Sequence, residues 1–268
     1  MTDKVTLTGA QETTLATLYG KAMESRRPDT ILHDTVAFDA LARVDYDFGK
    51  LRVRRSDHLS LAVRAKAYDI WACQFIAAHP DCTVLHLGCG LDTRPYRITP
   101  RCTWYDVDFP DVIALRHKLF GSGVAAIAKS VTDPTLLDGI AGDGPVLVVA
   151  EGVTPYLPAA EGIAMLRRIT AHFPTGELLF DAYGRWGLRF LQRYGCVKAS
   201  GARLGWSIDD PRELERAVPG LRFDAELWYS DALGMDHHLS AITRRLLHAA
   251  YTVPAVRRLG RPLRYTFG

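Results

Sequence analysis

Apolar positions along this chain fall into two regimes that meet near residue 81. Before it, Leu15, Leu18, Tyr19, Ala22 and Met23 recur at helical spacing, and Leu61, Ala65, Tyr68, Ile70 and Trp71 form a later stripe. Pro28 and Asp29 interrupt the two, so residues 11–80 are predicted as helical segments. After it, short apolar runs predict strands at 83–87, 102–107, 124–128, 145–150, 177–182, 222–229 and 263–267. Asp111 to Phe120 and Ala159 to Phe173 read as connecting helices. Strands alternating with helices imply crossover units, and hence a mainly parallel sheet of about seven strands covered on both faces. The expectation is an α/β fold of one domain over 1–268, with a helical cap over 1–80 and a core from 81.

One stretch does not fit simple alternation. Residues 184–219 follow the fifth strand and are too long for a plain crossover. They carry Trp186, Phe190, Tyr194 and Trp206, and are expected to fold as a helical insertion over the sheet's ligand edge. The last segment, Leu246 to Gly268, collects Arg257, Arg258, Arg261 and Arg264 without an acid. It reads as a solvated surface around a final edge strand, with docking of an acidic partner as the sharper alternative.

Composition narrows the class. A hydrophobic content of 48% in 268 residues is ample for a sizeable core. No apolar run reaches the roughly 18 residues that span a bilayer, so no membrane role is expected. The net charge of +3 is too mild to argue for nucleic acid. The five cysteines are never spaced as Cys-x-x-Cys, which favours reduced thiols over disulfides or zinc. Residues 1–9 lack a basic segment followed by an apolar one, so the expected location is cytoplasmic.

Chemistry concentrates where strands end. The first strand runs into Gly88-Cys89-Gly90, a turn that lets backbone approach a ligand without a Cβ in the way. About twenty residues on, the second strand ends in Asp106-Val-Asp108, a spacing that suits a carboxylate on ribose hydroxyls. Together they point to an adenosine-containing ligand. Thr93 stands where a dinucleotide fingerprint has its third glycine, which tilts the reading to a ligand without phosphates. Asp106 and Asp108 share a side of their strand, and a metal-gripping carboxylate pair is the alternative there. The fourth strand ends in Glu151-Gly-Val-Thr-Pro-Tyr156, another acid at a carboxyl edge, placed to hold a ribose or balance a cationic ligand.

Three of these segments together resemble the leucine carboxyl methyltransferase family: Leu87-Gly-Cys-Gly-Leu-Asp-Thr-Arg94, Asp106-Val-Asp-Phe-Pro110 and Glu151-Gly-Val-Thr-Pro-Tyr-Leu157. Tyr19-Gly-Lys-Ala-Met-Glu-Ser-Arg26 is similar to the family's first helix, so the resemblance covers about residues 13–180. It implies a Rossmann-like class I methyltransferase using S-adenosylmethionine, as in bacterial O-methyltransferases of polyketide biosynthesis. By motif position, Gly88 and Gly90 would lie under the cofactor, Asp108 on its ribose, and Glu151 beside it. Arg64 matches the arginine that pairs with the cofactor's carboxylate, and Lys21 sits near a second such position. Ser130 and Val131 occupy the adenine-reading place, where the family usually has an acid before an apolar residue.

The implied partner is a small-molecule methyl acceptor, expected to be flat and apolar given the aromatic insertion, and a homodimer is a further expectation. A carboxylate acceptor is ionised at pH 7, whereas a phenol needs a base or a cationic neighbour that lowers its pKa. The candidates for that task are Tyr156, Tyr183, Tyr229 and the His237-His238 pair, with Tyr183 and His237 put first, and no metal is expected. The competing readings are an NAD-dependent dehydrogenase, which leaves Glu151 without a role, and a non-catalytic cofactor-binding protein.

Overall fold

The computed structural model describes residues 3–4, 7–98, 101–227 and 240–268. Helices α1 (Thr13–Ser25), α2 (Thr35–Leu41) and α3 (Arg55–Ala78) precede a seven-stranded sheet. Its strands are β1 (Thr83–Leu87), β2 (Thr103–Asp108), β3 (Ala125–Ala128), β4 (Val146–Ala150), β5 (Gly176–Ala182), β6 (Arg222–Glu226) and β7 (Arg261–Phe267). Between them lie α4 (Arg94–Ile98), α5 (Pro110–Phe120) and α6 (Ala159–His172). The stretch after β5 folds as α7 (Arg185–Gln192), α8 (Gly195–Ser200) and α9 (Arg212–Ala217). Before β7 come α10 (Ala241–Tyr251) and α11 (Pro254–Arg257).

The strands run β3-β2-β1-β4-β5-β7-β6 across the sheet. The first five are parallel, and β7 is antiparallel to both of its neighbours. Chain order reverses between β1 and β4, and that reversal opens a crevice beyond their carboxyl ends. The crevice therefore receives Gly88 after β1, Asp108 at the end of β2 and Glu151 after β4.

Burial on both faces explains the sequence of the central strands. Every residue of β4 is buried. Leu85, Leu87, Val146, Val148 and Leu178 face Met165, Leu166 and Ile169 of α6. Val84, Trp104, Leu147, Val149 and Leu179 face Tyr68, Trp71 and Phe75 of α3. Each fully buried Leu or Val contributes about 1.5–3 kcal/mol. A third cluster joins Leu15 and Leu18 of α1 to Val112, Leu115 and Leu119 of α5, which fixes the N-terminal helices against the β1–β2 side.

Two expectations are corrected. The last strand is not an edge: β7 sits between β5 and β6, and β6 forms the border. Arg264 and Arg261 reach across to Asp224 and Glu226 of β6, so these two arginines are not part of a solvated surface set. An antiparallel strand can enter a parallel sheet between neighbours because its ladder needs no crossover helix. Sequence order alone does not reveal that. Of the expected strand 222–229, the structure places 222–226, and residues 228–229 lie outside the described set.

Candidate functional site

The turn after β1 is built by two glycines in left-handed backbone, with φ of +59° at Gly88 and +51° at Gly90. A Cβ at Gly88 would lie 2.4 Å from Val153 Cγ2, and one at Gly90 would lie 2.2 Å from Thr14 Oγ1. Both conformation and space therefore require glycine. Gly90 donates its N–H to Asp108 Oδ2 at 2.7 Å, and Phe109 donates to Oδ1 at 2.8 Å. Burial pushes the Asp108 carboxyl up from its ordinary value, against the pull of these two donors. Thr14 accepts the Leu91 N–H at 2.7 Å, tying α1 to the same turn.

Glu151 is the centre of a buried charge cluster. Arg64 Nε donates to Oε1 at 3.0 Å, Lys21 Nζ lies 3.2 Å from the same oxygen, and Arg94 Nη2 donates to Oε2. Burial works to raise the carboxyl's pKa, but Lys21, Arg64 and Arg94 outweigh it and hold Glu151 well below its ordinary range. Arg64 also lies 3.6 Å from Asp181, so it is a bridging cation rather than a surface one. Arg94 is wholly buried and is held by Asp69 at 2.7 Å and Asp92 at 3.2 Å.

The two acids at the end of β2 have separate tasks. Arg94 Nη1 donates to His86 Nε2 at 3.3 Å, and a guanidinium can only donate. On its other side the His86 ring places Nδ1 2.9 Å from Asp106 Oδ1. Trp104 and Arg116 also donate to Asp106, which leaves that carboxylate fully engaged in the core. Only Asp108 of the pair lines the crevice. Among the described residues, no three His, Cys, Asp or Glu side chains are grouped to hold a metal ion.

The crevice is a cavity of about 640 Å³. Lys21, Arg64, Gly88, Gly90, Asp108, Ser130, Val131 and Glu151 all line it, and Tyr183 lines it too. Tyr229, His237 and His238 lie outside the described residues. Ser130 Oγ is 3.1 Å from Thr132 Oγ1, and Val131 is buried beside it. Tyr156, Leu191, Tyr194, Cys196 and Leu259 also line the cavity. Burial pushes the hydroxyls of Tyr156, Tyr183 and Tyr194 and the thiol of Cys196 upward.

Asp92, Arg94 and His86 escaped the sequence reading as site residues. Their signal was charge in a stretch that is otherwise apolar strand and turn. Nothing in the spacing shows that Arg94 reaches Glu151, 57 positions away.

Residues 14–170 match the family model described as leucine carboxyl methyltransferase. The chain belongs to the leucine carboxyl methyltransferase family. Among its relatives, a tetracenomycin polyketide synthesis O-methyltransferase of Streptomyces glaucescens, TcmP, is 44% identical, with both chains covered in full. An S-adenosyl-L-methionine-dependent methyltransferase of Gibberella zeae, dpfgK, is 37% identical over 82% of each chain. The fold is also that of a Thermobifida fusca protein described as a candidate methyltransferase. That structure has a TM-score of 0.60 at 17% identity, covering 97% of this chain and 95% of that one.

This leucine carboxyl methyltransferase family member is an S-adenosylmethionine-dependent methyltransferase, and the dehydrogenase alternative falls. The residues fit that cofactor. Thr93, in the place of a third glycine, is fully buried and bonded to Asp34 instead of lining the cavity. A half-wrapped carboxylate, two cations and a glycine floor share one cavity, and these match a ribose, a carboxylate and an adenosine body.

Proposed function

We propose that the protein transfers a methyl group to oxygen on a small aromatic, polyketide-like metabolite, and that the accepting group is a carboxylate before a hydroxyl. The observation that carries this is the setting of four proton-bearing side chains that line the cavity wall. Tyr156, Tyr183, Tyr194 and Cys196 are all pushed toward their protonated forms by burial. None of these groups would take a proton from a phenol near pKa 10, whereas a carboxylate arrives ionised. The relative from Streptomyces glaucescens, described as a polyketide synthesis O-methyltransferase, supports the same class.

In this reading Asp108 holds the ribose hydroxyls with the lone pairs left by Gly90 and Phe109. Gly88 and Gly90 floor the cofactor, and Lys21 and Arg64 pair with its carboxylate. Ser130 and Val131 border the adenine, and Glu151 fixes the two cations. Bound cofactor supplies a methyl group made electrophilic by positive sulfur. Tyr183 acts as a hydrogen-bond donor that orients the acceptor rather than as a base. The apolar walls at Leu191 and Leu259 keep water out. We assign the whole chain to one methyltransferase domain, with residues 1–80 as its cap.

The test is an acceptor panel of hydroxy-naphthoic acids and naphthols incubated with S-adenosylmethionine, read by mass spectrometry. Mild alkali separates the products, because a methyl ester hydrolyses and an aryl ether does not. Base-stable ethers from the naphthols, with the acids inert, would overturn the carboxylate assignment.

A further inference from the structure

Charge is segregated along this chain in a way the methyl-transfer reading does not use. Residues 183–208 carry five Lys or Arg (Arg185, Arg189, Arg193, Lys198 and Arg203) and no acid. Residues 240–268 carry six Arg (Arg244, Arg245, Arg257, Arg258, Arg261 and Arg264), again with no acid. Taking these eleven from the chain's 33 Lys and Arg leaves 22 cations against 30 acids elsewhere, so the mild net charge of +3 conceals two opposite regions.

The fold brings the two segments together at the mouth of the cavity. Gly184 donates its N–H to Arg258 O at 2.6 Å, and a Cβ on Gly187 of α7 would meet Leu259 O at 2.1 Å. Leu191 and Tyr194 from the first segment, and Val256 and Leu259 from the second, line the cavity itself. Arg193 is adjacent to Tyr194, and Arg258 is adjacent to Leu259. Arg189, Arg193 and Arg258 are exposed.

The same face exposes aromatic surface. Trp186 is 64% exposed and Phe190 62%, four residues apart on α7, and Tyr194 continues that line to the cavity. Arg189 lies over the Trp186 ring, 4.8 Å from its centroid. The cavity's own acids are withdrawn: Asp57, Asp92, Asp108 and Glu151 are buried or held by donors. A ring-bearing molecule approaching this mouth meets cations and flat apolar faces, and no exposed carboxylate from either segment.

We propose that this collar is a binding platform for anionic aromatic acceptors, in which Arg189, Arg193 and Arg258 draw in the negative charge and Trp186 and Phe190 stack on the rings. The inference rests on the aromatic-acceptor reading above and adds which acceptors reach the site. Fields of one sign over a low-dielectric mouth raise the capture of opposite charge, and salt weakens them. A second copy of the chain is a poorer occupant, because a two-fold contact through this face would set the same arginines against one another.

The experiment compares 3-hydroxy-2-naphthoate with its neutral methyl ester. Each is titrated into the full-length protein saturated with S-adenosylhomocysteine, and binding is followed by calorimetry at 50 and 500 mM NaCl. The acid is expected to bind about tenfold more tightly than the ester at low salt, with the gap closing at high salt. Arg189→Glu with Arg193→Glu should abolish the preference, whereas Trp186→Ala should weaken both ligands alike. Equal binding of acid and ester, a preference that survives the double reversal, or binding of neither ligand would overturn the proposal. Affinity for S-adenosylhomocysteine, measured first, is expected to be the same in all variants. Its absence would sink the cofactor reading and leave the collar to be judged on the naphthoate pair alone.

Discussion

Gly90 and Asp108, eighteen positions apart, are joined by a 2.7 Å hydrogen bond from the glycine's backbone N–H to the carboxylate. The bond couples the tight turn after β1 to the acid that ends β2, so the proposed floor and clamp of the cofactor site are one unit. Neither residue can change without disturbing the other.

Asp108→Ala should weaken binding of S-adenosylhomocysteine at least tenfold, about 1.4 kcal/mol. Asp108→Asn, which keeps one acceptor oxygen, should fall between the two. Isothermal titration checks both, and unchanged affinity in the alanine variant would remove Asp108 from the ribose.

Gly90→Ala should destabilise the fold and impair the cofactor together. The backbone there has φ of +51°, and the new methyl would press on Thr14 Oγ1 at 2.2 Å. A non-glycine residue in that region costs of order 1–3 kcal/mol. Urea unfolding measures the first effect and titration the second. Wild-type stability would show that the turn relaxes freely.

Glu151 sets an acid limit on stability. Three cations hold its folded pKa below the ordinary 4.5, despite burial. Its contribution is therefore fully present above about pH 4.5 and is lost as pH falls toward and through the depressed folded value. Replacing it with Gln leaves Lys21, Arg64 and Arg94 partly uncompensated, with an expected loss of about 3–5 kcal/mol at pH 7. The wild-type advantage over Glu151→Gln should shrink on acidification. An advantage that stays constant from pH 7 down to the acid unfolding limit would contradict the cluster.

Tyr183 should leave no mark on the alkaline side of the rate profile. Burial first, then Asp181, pushes its hydroxyl upward, so it remains a donor throughout the neutral range. With a carboxylate acceptor, kcat/KM is expected to be flat between pH 7 and 9. Tyr183→Phe should lower it by about tenfold or less without creating or removing a limb. A rising limb that vanishes in the Phe variant would instead identify Tyr183 as a base.

The sequence by itself determined the sheet and its ligand edge. Periodicity in β1, β4 and β5 is set by burial on two faces, and the glycines and acids at strand ends are local signals that need no knowledge of neighbours. Hence Gly88, Asp108 and Glu151 could be singled out from position alone, and the cavity gathers them. Only the tertiary structure decided what surrounds them. Arg94 meeting Glu151, Asp106 withdrawn into a bond with His86, and β7 inserted between β5 and β6 all join segments far apart in the chain. The arginine collar is legible as composition, yet its position at the cavity mouth depends on α7 packing against the turn before β7. Spacing along a chain encodes which face a residue takes, whereas the partner across that face is chosen by packing, and packing is a property of the whole fold.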